Sequence, residues 1–236
     1  MKVSSTKKIN HIIFNMNIST GSLHIPSLFV ITLSFFVMAS CKGITSSSDV
    51  EDSLEPIEEV SFIDGTESTV LNVNRSSHYF FSLEFQNVGN NNIITNGVNE
   101  GWCIDWQKPI DSNGGVYNDI RLYSTFLVEK WNPVNFLLNI KEQLKETDPD
   151  ITFREIQLAI WSLRGFPEFN LDDIELSDLP SRMLVNGQPA FNKEKVKQIL
   201  EIVEEGYRDF EFTEGTYFAV IAETPADVQT VITVAR

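Results

Sequence analysis

The period of hydrophobic and polar positions changes twice along the chain. From Val60 to Tyr123 apolar residues alternate with polar ones or gather in short β-branched and aromatic runs, which is the pattern of strands. Segments 78–85 (HYFFSLEF), 92–98 (NIITNGV), 101–106 (GWCIDW) and 119–125 (DIRLYST) read as strands, divided by Asn, Gly, Asp and Pro turns. At Asn132-Pro133 the spacing lengthens to that of a helix carrying Val134, Phe136, Leu137, Ile140 and Leu144, with proline in a favoured first-turn position. A second helix is predicted from Thr152, where Thr152 and Glu155 have capping-box spacing, and Gly165 and Pro167 end it. A third runs from Asn192 to about Glu205, with Val196, Ile199, Leu200 and Val203 on its inner face. Strands 216–223 (TYFAVIAE) and 228–235 (VQTVITVA) close the chain. This order predicts an α+β fold: a β-rich sandwich or barrel-like domain with an inserted set of about three helices.

The first forty residues differ in kind. They carry Lys2, Lys7 and Lys8, while all 33 Asp and Glu lie beyond Cys41. Residues 27–40 (SLFVITLSFFVMAS) are apolar and uncharged. A permanent membrane helix needs roughly 20 such residues, so the run suits a signal peptide instead. Met38-Ala39-Ser40-Cys41 resembles the bacterial lipobox, with Met where Leu is usual. That resemblance implies diacylglycerol on the Cys41 sulfur and cleavage just before it. An ordinary secretory signal with a chance cysteine is the alternative, and a start at Met16 gives a more typical leader. Lys42, not Asp, follows the cysteine, which favours an outer membrane or an outward-facing cell surface.

Residues 42–58 (KGITSSSDVEDSLEPIE) are Ser-rich and acidic and read as a disordered tether. The expected organisation is a signal peptide over 1–40, a tether over 41–58 and one domain over 59–236. The 33 acidic residues face 18 basic ones, three of them in the leader. A surface this acidic repels nucleic acid, so no nucleic-acid partner is expected.

With Cys41 given to lipid, Cys103 is the one other cysteine and has no internal disulfide partner. His11 and His24 leave with the leader, so His78 is the remaining imidazole. Any Ser-His-Asp or Cys-His chemistry would have to pass through it, and its setting reads as an ordinary strand position. No metal site or cofactor is expected.

On the second helix, at about 100° per residue, Gln157 falls between Phe153 and Trp161 and inside the apolar arc that also holds Ile156 and Ile160. A glutamine there loses water and needs partners. Its task is either structural, bracing a loop or strand, or chemical.

Gly101-Trp102-Cys103-Ile104-Asp105, followed some fifty residues on by Ile156-Gln157-Leu158-Ala159-Ile160-Trp161, resembles the bacterial thioester domain of surface adhesins. That family pairs an aromatic-Cys motif in its β portion with a Thr-Gln-x-Ala motif on a helix, often with a helix such as 134–139 between them. Ile156 stands where the family has Thr. The resemblance implies an internal thioester between Cys103 and Gln157, with Trp102, Trp106 and Trp161 as candidates to wall it from water. A partner amine, a lysine on an unknown protein or surface, would attack the acyl carbon, giving an amide through Gln157 and a free Cys103 thiol. That is single-turnover capture serving adhesion, not enzymatic turnover.

Two rivals stand beside it. A non-covalent protein- or glycan-binding module could use Trp102, Trp106, Trp131 and Tyr123. An acid/base hydrolase or calcium site could use Asp172, Asp173, Glu175 and Asp178, although such acidic runs are usually solvated and the spacing is not that of an EF-hand.

Overall fold

The computed structural model describes residues 59–236. The expected signal peptide, Cys41 and the expected tether lie outside the described residues. Among those described, no helix is long and apolar enough to cross a membrane.

The strands are β1 (Ser61–Phe62), β2 (Thr69–Arg75), β3 (Phe81–Gln86), β4 (Gly97–Cys103) and β5 (Asn113–Ser124), then β6 (Leu184–Val185), β7 (Gln188–Pro189), β8 (Phe218–Glu223) and β9 (Val231–Ala235). Helices α1 (Asn132–Thr147), α2 (Phe153–Arg164) and α3 (Lys193–Gly206) are inserted between β5 and β8. The main sheet runs β1-β5-β2-β3-β4-β9-β8, and a β5–β8 pairing closes it. The sandwich-or-barrel alternative thus resolves to a barrel, inside the expected α+β class.

Closure depends on β5. Its first part pairs with β2 from Asn113 to Ile120, and its last four residues pair with β8, Arg121 opposite Glu223 through Ser124 opposite Val220. The β2–β5 ladder carries two register shifts, which bend a strand and let one long element serve two neighbours. Alternate side chains then fill the interior: Leu71 and Val73 from β2, Phe81, Leu83 and Phe85 from β3. Gly101, paired with Phe81, is required by crowding, because a Cβ there would lie 2.3 Å from Leu83 Cγ.

Two strand readings shorten for one physical reason. Residues 92–96 form a turn, because Asn91 Oδ1 accepts the N–H groups of Ile93 and Ile94 at 2.9 and 2.8 Å. Residues 78–80 bend, because Ser76 Oγ accepts from the N–H of His78 and of Tyr79. In both places a short polar side chain offers the backbone a local partner that competes with the ladder. His78 is therefore an exposed bend residue, not a strand residue. The hairpin of β6 and β7, turned by Asn186 (φ 53°) and Gly187 (φ 74°), was not legible from strand patterning.

The helices are tied to the barrel by amides as well as by apolar packing. Buried Asn135 on α1 accepts the Ala219 N–H through Oδ1 at 2.9 Å. One turn later, Asn139 Oδ1 accepts the Tyr217 N–H at 2.9 Å while its Nδ2 donates to the Tyr217 carbonyl at 2.8 Å. At the start of α2 the capping box forms as expected: the Thr152 N–H donates to Glu155 Oε2 at 2.7 Å and the Arg154 N–H to Thr152 Oγ1. Glu155 Oε1 also accepts the N–H of Asn192, the cap of α3, at 2.9 Å. One buried carboxylate thus fixes two helix starts.

Candidate functional site

The site begins where β3 stops short. The β3–β4 ladder ends at Phe81 opposite Gly101, and Trp102 and Cys103 pair instead with Ile232 and Val231 of β9. The next N–H, that of Ile104, donates to Thr230 on the same side as β9. Main-chain polar groups of successive strand residues point to opposite sides, so those of Cys103 face the side that β3 has vacated. Both are fully buried and need partners.

Gln157 supplies both. The Cys103 N–H donates to Gln157 Oε1 at 2.9 Å, and Gln157 Nε2 donates to the Cys103 carbonyl at 2.6 Å. Both residues have no exposed surface. The two residues that sequence reasoning selected, 54 positions apart, therefore meet, and Gln157 occupies the missing strand position on Cys103.

Of the three tryptophans, Trp102 and Trp161 are buried in the same core cluster as Cys103. Trp161 meets Phe80 edge-on at 5.7 Å and Phe169 at a tilt at 5.6 Å between ring centroids. Trp102 meets Tyr79 edge-on at 6.0 Å, with Lys145 Nζ over both rings. Trp106 differs: it is half-buried, donates to the Pro167 carbonyl at 2.8 Å and meets Phe169 edge-on at 5.4 Å. It stands behind Phe169, one ring further out than Trp161.

Burial pushes the Cys103 thiol well above its ordinary pKa. The Trp161 indole N–H pulls the other way, and the Asp105 carboxylate adds to the rise. That indole makes no hydrogen bond of ordinary geometry, so its contact with the sulfur is longer or more bent than a normal N–H···S bond. Burial thus favours the neutral thiol, with the Trp161 indole as its aromatic neighbour.

Asp105 is a residue whose role was not read from the sequence. It lies two positions past Cys103 and is 1% exposed. Its Oδ1 accepts the N–H groups of Gln107 and Lys108, and its Oδ2 pairs with Lys108 Nζ at 3.3 Å. Period-two counting from Cys103 was the available signal.

The rival residues disperse. Trp131 and Trp102 are core residues, and Tyr123 donates to Glu223 at the β5–β8 seam, so they do not line one glycan site with Trp106. Asp172, Asp173, Glu175 and Asp178 are exposed, and Asp172 pairs with Lys197 at 3.0 Å.

The chain matches no family model. No curated protein matches it in sequence either. Two solved structures resemble the fold. One is the N-terminal thioester domain of fibronectin-binding protein SfbI from Streptococcus pyogenes, with TM-score 0.42 and 13% identity, covering 71% of this chain and 92% of that one. The other is the N-terminal domain of the Streptococcus pyogenes pilus tip adhesin Cpa, with TM-score 0.43 and 9% identity, covering 72% and 94%.

Proposed function

We propose that Cys103 and Gln157 form an internal thioester and that the domain uses it for covalent capture of an amine, such as a lysine, on a partner surface. The observation that carries this reading is the two-point clamp of the Gln157 carboxamide on the main chain of Cys103. The clamp keeps the carboxamide carbon within one side chain's reach of the nucleophile, which removes most of the entropic barrier to their meeting.

In the first step the Cys103 sulfur adds to the Gln157 carbonyl carbon. The Cys103 N–H already donates to Gln157 Oε1, where negative charge develops in the tetrahedral intermediate. The thiol proton passes to Nε2, the C–N bond breaks, and ammonia leaves. Burial keeps the free thiolate scarce, so transfer of the thiol proton to Nε2 is what makes the sulfur nucleophilic within the pair. In the second step an amine adds to the acyl carbon, the C–S bond breaks, and the sulfur regains its proton. The products are an amide through Gln157 and a free Cys103 thiol. The buried rings of Trp102 and Trp161 keep water from competing.

The rest of the molecule's role follows from position in the envelope: lipid on Cys41 holds one end, and the thioester holds a surface outside the cell, an adhesive link that acts once per molecule.

One observation favours a second reading. The Asn139–Tyr217 pair has the same two-point geometry with no sulfur nearby, so an amide on a strand residue can be purely a brace. On that reading the domain binds non-covalently and Cys103 is a small core residue. Exposure of purified 59–236 to a primary amine separates the two, because only a thioester yields a covalent adduct at Gln157 together with a new thiol at Cys103.

A further inference from the structure

Away from the Cys103–Gln157 pair, the barrel carries a cavity of about 330 Å³ between the β2–β3 end, the loop after β4 and the segment before β6. Trp106, Phe80 and Phe81 give it an aromatic wall. Three cationic side chains, Arg75, Lys108 and Arg182, line it against a single carboxylate, Asp178. In a chain with 33 acidic residues and 18 basic ones, that local balance is inverted.

Two features show the arginines to be short of partners, whereas Lys108 is already paired with Asp105 at 3.3 Å. Arg75, Arg182 and the neighbouring Arg154 make no ion pair with a carboxylate among the described residues; their hydrogen bonds go to Ser112 Oγ and to main-chain carbonyls. Arg182 stacks over Phe80 and Phe153, and its Nε is buried with no hydrogen-bond partner. Burial, then the nearby Arg75 and Arg154, hold its pKa down to about 10. Gln229 also lines the cavity, at 4% exposure. Its main-chain N–H donates to the Pro109 carbonyl at 3.1 Å. A buried unpaired guanidinium N–H and crowded guanidinium groups are both costly, and both costs are relieved by an anionic, hydrogen-bonding occupant.

We propose that this cavity binds an anionic sugar unit, carboxylated or sulfated. The charge answers Arg75 and Arg182, the hydroxyls answer Gln229 and Ser112, and a ring face fits the Trp106 wall. The volume lies at the small end of ligand pockets, suited to one or two sugar rings. The site does not need the thioester, although Phe80 and Trp106 each reach Trp161, Phe80 directly and Trp106 through Phe169.

Calorimetric titration of the purified full chain with glucuronate, glucose 6-sulfate, glucose, acetate and a polyglutamate peptide tests this. Saturable one-to-one binding of glucuronate or glucose 6-sulfate supports it, and the stronger of the two names the anion. Glucose and acetate each bind at least about tenfold more weakly, since each lacks one half of the recognition. Arg75→Gln, on an exposed side chain, and Gln229→Leu, checked by thermal melting, each weaken binding about tenfold. Cys103→Ala binds as the unaltered chain does, so failure here and failure of the thioester are distinguishable. Equal binding of glucose, binding of the peptide alone, no saturable binding of either anionic sugar, or indifference to Arg75→Gln overturns the proposal.

Discussion

Gln157 bonds to both main-chain polar groups of Cys103, accepting its N–H at 2.9 Å and donating to its carbonyl at 2.6 Å, with both residues fully buried. The pair is a brace for α2 on the barrel and, under the proposed function, also the nucleophile and carbonyl of a thioester. The two roles have different signatures under mutation.

Gln157→Ala strips partners from two buried main-chain groups, so it is expected to cost about 2–4 kcal/mol in chemical denaturation. Cys103→Ala keeps both main-chain bonds and removes only a small buried group, so it costs about 1 kcal/mol. Both variants nevertheless lose amine capture completely. Retained capture in either, measured as adduct mass, contradicts the assigned chemistry.

The thiol has a defined pH behaviour. In a chain kept from forming the bond by Gln157→Ala, Cys103 should alkylate slowly at pH 8. Its folded pKa is raised, so the thiolate fraction at that pH is below that of a free cysteine. The rate should climb with pH past the usual cysteine value without levelling off near it. A plateau close to pH 8.5 in stopped-flow alkylation would show that burial does not control the sulfur.

Trp161→Phe keeps a ring in the wall and removes the indole N–H that opposes the rise in the Cys103 pKa. Thioester formation after refolding is expected to slow several-fold, while melting changes little because the ring contacts to Phe80 and Phe169 persist. Trp106→Ala, one ring further out, is expected to leave formation unchanged. A time course of ammonia release distinguishes them.

Glu155 offers a test of the scaffold alone. It satisfies the Thr152 N–H and, through its other oxygen, the Asn192 N–H. Glu155→Ala therefore strips the carboxylate partner from the main-chain N–H of both cap residues, leaving the Thr152 and Asn192 side-chain caps in place, and should cost about 2–3 kcal/mol. A loss near 0.5 kcal/mol would mean that the link to α3 contributes nothing.

Much of this was legible in the sequence, for identifiable reasons. The helices were readable because their signals are local: Pro133, the Thr152–Glu155 box, and apolar spacing along α3. Gln157 stood out because a glutamine in an apolar arc violates the pattern around it. Pairing it with Cys103 came from the family resemblance; no periodicity joins residues 54 positions apart. Where polar side chains bend the backbone, at Ser76 and Asn91, the alternation of apolar residues continued past the true strand ends. The register that leaves Cys103 without a β3 partner depends on where β3 begins, so it was invisible beforehand. The cationic cavity was hidden for a related reason: Arg75, Lys108, Arg182 and Gln229 come from four separate stretches and carry no shared motif.

The most direct test is the intact mass of purified 59–236 before and after treatment with methylamine. The expected mass is one ammonia below that of the sequence, rising by one methylamine on treatment, with a single new titratable thiol at Cys103. A mass equal to that of the sequence, a thiol free from the outset and no change with methylamine would contradict the thioester and leave Gln157 as a brace.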